Sequence, residues 1–412
     1  MLRPQPIGIF PPPVGYLLLP ESVRETDFHR AVMHGQKPLS APPEAEFYVL
    51  AINNEFDQAI EKLLSDNSIL ARYNFFVLQP DDAGYKLLQK ALPPELQPIL
   101  EAAAFTLGMS DVPPLADNLD NEILAFVALA QATAKLEENN FEAAQELLRK
   151  GIDAARAASP ILAAQLMSAL AETMQKSSGA SAYTVQLYKN ALDNLKTSDL
   201  SETRAALWLC LGMNYQELSN GNNRGALLEA VRCYQEALQT FGRETHPEQF
   251  AWAQNNLALA YLAMPMTEAS DQLRVGIAIA ALRETLKIYM RETHPEAWAS
   301  AQLNLANSLQ YAPTSHPQEN LMEAVNLYEE ILNFRDKTRD PIGYARLLAN
   351  QGNALAHLGV FDHAAPKLIE AKTIFEQNGE IDSAAAVGEV LAEIETQRAT
   401  AGNGHLAVAQ NS

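Results

Sequence analysis

The stretch "ANQGNALAHLGVFDHAAPKLIEAKTIF" (Ala349–Phe375) reads as a helix, a turn and a second helix, with small residues at set positions. Gly352 stands three residues before Leu355, and Ala364 stands four before Leu368. The same spacing recurs upstream. Gly212, Ala258, Ala306 and Gly352 lie 46, 48 and 46 residues apart, and Tyr215, Tyr261, Leu309 and Leu355 follow each by three. A second column runs Ala230, Ala278, Ala324 and Ala364, with Tyr234, Leu282, Tyr328 and Leu368 four residues on. A small residue at a helix crossing lets two axes approach to roughly 8–10 Å. The bulky residue one turn along fills the space beside it. A single helix pair cannot bury both faces, so the pairs must stack into a superhelical array.

The hexapeptide "RETHPE" occurs twice, at Arg243–Glu248 and Arg291–Glu296, and falls between the second helix of one unit and the first helix of the next. Proline is favoured in a first helical turn, where its missing N–H is not needed. Two registers fit. Thr245 with Glu248, and Thr293 with Glu296, match the S/T-x-x-E capping box; alternatively His246 and His294 are themselves the caps. The histidines occupy equivalent corners of successive units, at least one interhelical spacing of roughly 8–10 Å apart. Zinc ligands must each come within about 2 Å of the metal. The motif is therefore read as architecture, with no metal site.

These units resemble the tetratricopeptide repeat (TPR) family. Gly352, Gly359, Phe361, Ala364 and Ala371 stand at the family's spacing in Ala349–Phe375. The three preceding copies have longer turns, such as "LSNGNNRGALLEA" and "YAPTSHPQENLMEA", and look like a long-period bacterial, especially cyanobacterial, variety. "ENNFEAAQELLRKGIDAA" (Glu138–Ala155) is a more degenerate unit, and "NNEFDQAIEKLL" a weaker one still. The resemblance implies an all-α, right-handed superhelical solenoid of helix-turn-helix repeats. In the family the first helix of each unit lines a concave groove that binds extended peptides or partner helices. The matching residues here are Asn256, Asn304, Asn307, Tyr311, Arg346, Asn350 and Asn353. An asparagine amide can pair with a peptide's N–H and C=O at once, holding a chain without reading its sequence. The lysines of members that clamp a terminal carboxylate are replaced by Asn255, Leu303 and Ala349, so such a clamp is not expected.

Composition limits the partners. Fifty acidic against thirty basic side chains give the 412-residue chain a formal charge of −20. That field repels nucleic acid and anionic membrane surfaces. The two cysteines, Cys210 and Cys233, form no C-x-x-C or disulfide framework, which fits buried thiols in a reducing cytoplasm. No apolar run approaches the ~20 residues of a bilayer span, and prolines interrupt the apolar N terminus.

Along the chain, residues 1–46 hold nine of the 23 prolines and are expected to form an extended, turn-rich arm. Ile7, Ile9, Phe10, Val14, Tyr16 and Leu17–Leu19 would be costly to leave in water. The arm is expected to lie along its own chain's helices, or else to dock on a neighbour. Residues 47–118 form a small helical region that ends at "LGMSDVPPLADN" (Leu107–Asn118), residues 119–398 form the repeat array, and residues 399–412 form a disordered tail.

Chemistry finds no support. P-loop, Rossmann, H-E-x-x-H, paired-cysteine and nucleophile-elbow patterns are absent. Glu137–Glu138 and Glu329–Glu330 read as solvated helix faces. No cofactor and no catalytic residue is expected. The expected function is a protein–protein interaction scaffold, adaptor or assembly factor that binds a peptide or helix in the groove. The rivals are a fixed subunit docked through the N-terminal arm, a homo-oligomer, and a ligand- or peptide-sensing regulator.

Overall fold

The computed structural model describes residues 13–115, 119–220, 223–265, 271–312 and 316–409, apart from the side chains of Asp271, Tyr311 and residues 400–409. The described residues form helices and connecting turns, with no strand. They fall into two compact units, Met1–Asn220 and Gly221–Ser412. The Leu107–Asn118 stretch thus lies inside the first unit.

Unit 1 begins with 3-10 turns at Val14–Tyr16 and Glu21–Val23, followed by helix α1 (Asp27–Met33). Helices α2 (Glu46–Ile52), α3 (Phe56–Leu64), α4 (Ile69–Leu78), α5 (Asp82–Ala91) and α6 (Gln97–Thr106) are short. Longer helices follow: α7 (Asn121–Glu137), α8 (Phe141–Ala155), α9 (Pro160–Ser178), α10 (Ala182–Asn194) and α11 (Ser201–Leu218). From α2 to α11 each helix packs on the next in the chain, and α9 also touches α7 and α11. Unit 2 holds α12 (Arg224–Leu238), α13 (Pro247–Ala263), α14 (Asp271–Leu286) and α15 (Pro295–Tyr311). It continues with α16 (Pro317–Leu332), α17 (Pro341–His357), α18 (Phe361–Gln377) and α19 (Ile381–Ala409). Consecutive helices again pack on each other, and α13 touches α15 as α17 touches α19. Helix α19 continues past Arg398, where the sequence reading ended the array; alanine-rich sequence favours helix.

Two local devices set the helix ends. Hairpin turns α2–α3, α7–α8, α17–α18 and α18–α19 each place one residue in the left-handed region: Asn54, Asn139, Gly359 and Gly379. In each, the residue after it donates its N–H five positions back, as Val360 does to Leu355 at 3.0 Å and Asn140 to Lys135 at 2.8 Å. This pairing satisfies carbonyls that a helix C terminus leaves open. A Phe or Ile then opens the next helix. The second device is proline at the first helical position, in α9, α13, α15, α16 and α17.

That device decides the RETHPE register. His246 and His294 are the N-caps of α13 and α15, and neither side chain caps the helix. The Thr245 and Thr293 capping boxes do not form, because the residue before proline is kept out of the helical conformation and each helix begins after it. Each threonine hydroxyl instead meets the neighbouring imidazole, at 3.0 and 2.9 Å. The rings tilt against Phe241 and Tyr289, both with centroids 5.3 Å apart. His294 also reaches Glu248 of the preceding copy at 3.5 Å, so the repeated corner links one unit to the next.

The small-residue columns lie in the core. Ala258, Ala306, Ala278, Ala324 and Ala364 are fully buried, as are Leu282 and Tyr328. At Gly352 the helices approach closely: a methyl group there would stand 2.7 Å from Leu368 Cγ and 3.3 Å from the Ala364 carbonyl. Gly151 plays a similar part in unit 1, with Leu166 and Ala128 at 3.2 and 3.3 Å from such a methyl.

The described part of the N-terminal arm packs in cis. Leu17, Leu18 and Leu19 are at most 1% exposed. Asn74 on α4 accepts from the Leu18 N–H at 2.8 Å and donates to its carbonyl at 2.9 Å, as a neighbouring strand would. Tyr16 meets Phe126 of α7 edge-on at 4.5 Å. Further on, Gly35 accepts from the Asp199 N–H at 3.0 Å, and the Lys37 N–H donates to the Asp199 carboxylate at 2.9 Å. The arm is therefore not simply extended. It includes a helix, and it gives its apolar residues to its own core, which removes Val14–Leu19 from the surface a neighbour would need. Ile7, Ile9 and Phe10 lie outside the described residues.

Burial pushes the Tyr16 hydroxyl up to about 12, against a hydrogen bond with Thr106 that pulls it down, and burial also raises Tyr48 and Tyr73. Above about pH 10 the unfolded chain loses these protons while the native chain keeps them. The native state then binds more protons, so stability falls as pH rises, by up to about 1.4 kcal/mol per pH unit for each tyrosine. Denaturant melts of the chain at pH 9, 10 and 11 should show this decline between 10 and 11, and substituting Tyr16→Phe should lessen it.

Candidate partner-binding site

Helices α13, α15 and α17 open successive hairpins of unit 2, and the sequence-derived residues lie on them. Asn256 is half-buried and donates to the Trp252 carbonyl of its own helix at 2.9 Å. Asn307 accepts from the Tyr328 hydroxyl at 2.6 Å and from the Asn350 amide at 3.1 Å. Asn307 and Asn350 thus bridge α15 and α17. Asn304 and Asn353 are half-buried, one turn from that pair, and neither amide forms a hydrogen bond among the described residues. Arg346 is exposed and forms no ion pair among the described residues. The Tyr311 side chain lies outside the described residues. Positions 346, 350 and 353, like 304 and 307, are three or four apart and share one helix face. Geometry therefore divides the group: Asn256, Asn307 and Asn350 are engaged within the chain, while Asn304, Asn353 and Arg346 are available.

A glutamine layer supports this face. Gln302 donates to Glu330 at 2.6 Å, and Gln351 donates to Glu329 at 2.8 Å and to the Val325 carbonyl at 3.1 Å. Lys367 adds an ion pair to Glu329 at 3.1 Å. Hydrogen bonds from Gln351 and then Lys367 hold the Glu329 carboxyl below its usual range. Glu329 and Glu330, read from sequence as a solvated face, each fasten α16 to a different helix. Spacing alone cannot reveal this, since both partners come from outside the helix.

Sequence reasoning missed a second feature. In unit 1 the equivalent face of α7, α9 and α11 encloses an apolar pocket of about 380 Å³, whose lining includes Leu129, Ile161, Leu195, Leu200 and Leu207. Ser168, Glu172 and Cys210 supply polar atoms. The clue was available in "PILAAQLMSALAE" (Pro160–Glu172), where only Gln165, Ser168 and Glu172 interrupt small and apolar residues. Cys233 is buried and Cys210 half-buried, and the two form no disulfide. Burial, then the nearby Glu172 charge, pushes the Cys210 thiol up to about 12, so it stays protonated near neutrality.

Among the described residues, no cluster of three or more His, Cys, Asp or Glu could hold a metal ion. No described helix is long and apolar enough to cross a membrane.

No family model and no curated protein matches the chain. Among solved structures, the chain is similar to PilF of Pseudomonas aeruginosa, with 17% identity and a TM-score of 0.42 over 63% of this chain and 97% of that one. It is similar to the apo form of RapI, with 11% identity and a TM-score of 0.47 over 86% and 97%. The C-terminal part of a TPR repeat-containing protein from Cytophaga hutchinsonii is similar at 12% identity and a TM-score of 0.40, over 83% and 93%. The class is defined by the helices themselves: each unit is a stretch of all-α, TPR-like hairpins.

Proposed function

We propose that the chain is a non-catalytic interaction protein of a bacterial cytoplasm. It holds a peptide or helix of a partner protein along the first-helix face of its stacked hairpins. The observation that carries this reading is the pair of unengaged amides, Asn304 and Asn353, flanking the Asn307–Asn350 bridge. A half-buried amide gains most when a ligand supplies both a donor and an acceptor, which a peptide backbone does at every residue. Arg346 beside them favours a partner carboxylate on that side. The TPR-like hairpins are consistent with a protein-binding adaptor.

The test is affinity capture from the source organism, with the full chain compared with the double variant Asn304→Ala, Asn353→Ala. Each lost hydrogen bond is worth about 1 kcal/mol, so the double variant should retain its partner at least ~10-fold less well. Its melting temperature should stay close to that of the parent chain. Equal capture by both proteins, or no capture by the parent, would overturn the reading.

A further inference from the structure

The unit 1 pocket has a direction. Ile161 and Glu172 lie on the same helix, α9, eleven residues apart, which places them ~16 Å from one another along its axis. At the Ile161 end the lining is apolar, with Leu195 and Leu200. At the other end stands Glu172, whose carboxylate accepts one hydrogen bond, from the Ser168 hydroxyl at 3.3 Å. No Lys, Arg or His lines the pocket, and none pairs with Glu172 among the described residues. Glu172 is itself exposed, and after burial its charge contributes to raising the Cys210 thiol of the lining and the buried Tyr188 hydroxyl.

We infer that this pocket takes an apolar segment of a partner protein that carries one lysine or arginine, with the apolar side chain against Ile161 and Leu200 and the cation at Glu172. The inference rests on the reading of the chain as a binder of protein segments and specifies the chemistry of one such segment. A purely apolar ligand would cover the Glu172 carboxylate without a counter-charge, which is costly. An anionic ligand would meet that carboxylate in a chain of net charge −20. A lysine satisfies both demands, because its stem packs on apolar surface while its ammonium reaches the carboxylate. The ~16 Å span corresponds to about five extended residues.

Calorimetric titration of the full chain tests the inference with two probes, acetyl-Leu-Ala-Leu-Ala-Lys-amide and its counterpart ending in Glu. The lysine peptide should bind at least ~10-fold more tightly, the equivalent of one 1.4 kcal/mol step. Glu172→Gln should erase that preference. Ala206→Phe, which fills the pocket from an exposed position on α11, should abolish binding of both peptides. Equal affinities, no binding of either peptide, or indifference to Ala206→Phe would each overturn the inference. Decylammonium ion serves as a further arm: if it binds where the lysine peptide does not, the occupant is a small amphiphile and the protein-segment assignment falls. A partner still captured from lysate by the Glu172→Gln and Ala206→Phe variants would sink this site while leaving the general binding role intact.

Discussion

A chain that begins at Glu46 is expected to lose the fold of unit 1. The deleted residues include Leu17 and Leu18 at 0% exposure, Leu19 and Val23 at 1%, and Val32 at 0%. Burial of each such side chain contributes about 1.5–3 kcal/mol. Their sum, on the order of 10 kcal/mol, is comparable to the whole stability of a typical domain. Deletion also uncovers Tyr48 and Tyr73, which the intact unit buries completely. The measurement is circular dichroism with limited proteolysis: helical signal should fall and cleavage should concentrate before residue 220. Point changes give graded versions. Leu18→Ala should cost about 2–5 kcal/mol as a core truncation. Asn74→Leu should cost about 2–4 kcal/mol, because it strands both the N–H and the carbonyl of Leu18. A truncated chain that stayed fully helical and protease-resistant would return the arm to the role of an accessory segment that docks elsewhere.

The second large effect concerns a single methyl group. Gly352→Ala should destabilise unit 2 by about 1–3 kcal/mol, the usual cost of overpacking a filled core. Helix propensity alone argues for the opposite sign, since alanine is favoured over glycine in a helix interior by about 1 kcal/mol. The sign of the change therefore decides whether the 2.7 Å approach to Leu368 governs the site. Gly276→Ala is the matched control. Gly276 also lies within a helix, α14, but a methyl group there meets nothing within 4 Å, so it should gain about 0.5–1 kcal/mol. Denaturant melts of the two variants should move in opposite directions. If both were stabilised, the small-residue column would be a matter of composition only.

Much of the repeat architecture was legible because it depends on periodicity. The column through Ala258, Ala306 and Gly352 recurs at 46 to 48 residues and the column through Ala278, Ala324 and Ala364 at 46 and then 40, and the structure buries every one of them. Local chemistry was legible too, wherever a residue's neighbours in sequence are its neighbours in space. Asn139 and Gly359 mark hairpin turns in this way, and proline marks the first turn of α13 and α15. At RETHPE two local rules competed and the sequence left both registers open, of which the structure takes the one with His246 and His294 as caps. The constraint that proline places on the preceding histidine prevailed.

The binding face was legible only as a set of positions. Asn256, Asn304, Asn307, Asn350 and Asn353 share one pattern in the sequence, yet among the described residues three have side-chain partners and two do not. Whether an amide is occupied depends on a residue brought alongside by folding, as Tyr328 is to Asn307 across 21 residues of chain. Glu172 shows the same dependence, since the facing apolar residues Leu195, Leu200 and Leu207 come from α11 and the turn before it.

The sequence by itself determined the helices, their pairing and the small residues at their crossings, because each follows from spacing within a few turns of chain. Only the tertiary structure decided that the arm packs inward, that Asn74 pairs with the Leu18 backbone, and which polar groups remain unmatched. Those outcomes depend on desolvation, and a polar group's cost of leaving water is set by whatever finally comes to rest beside it.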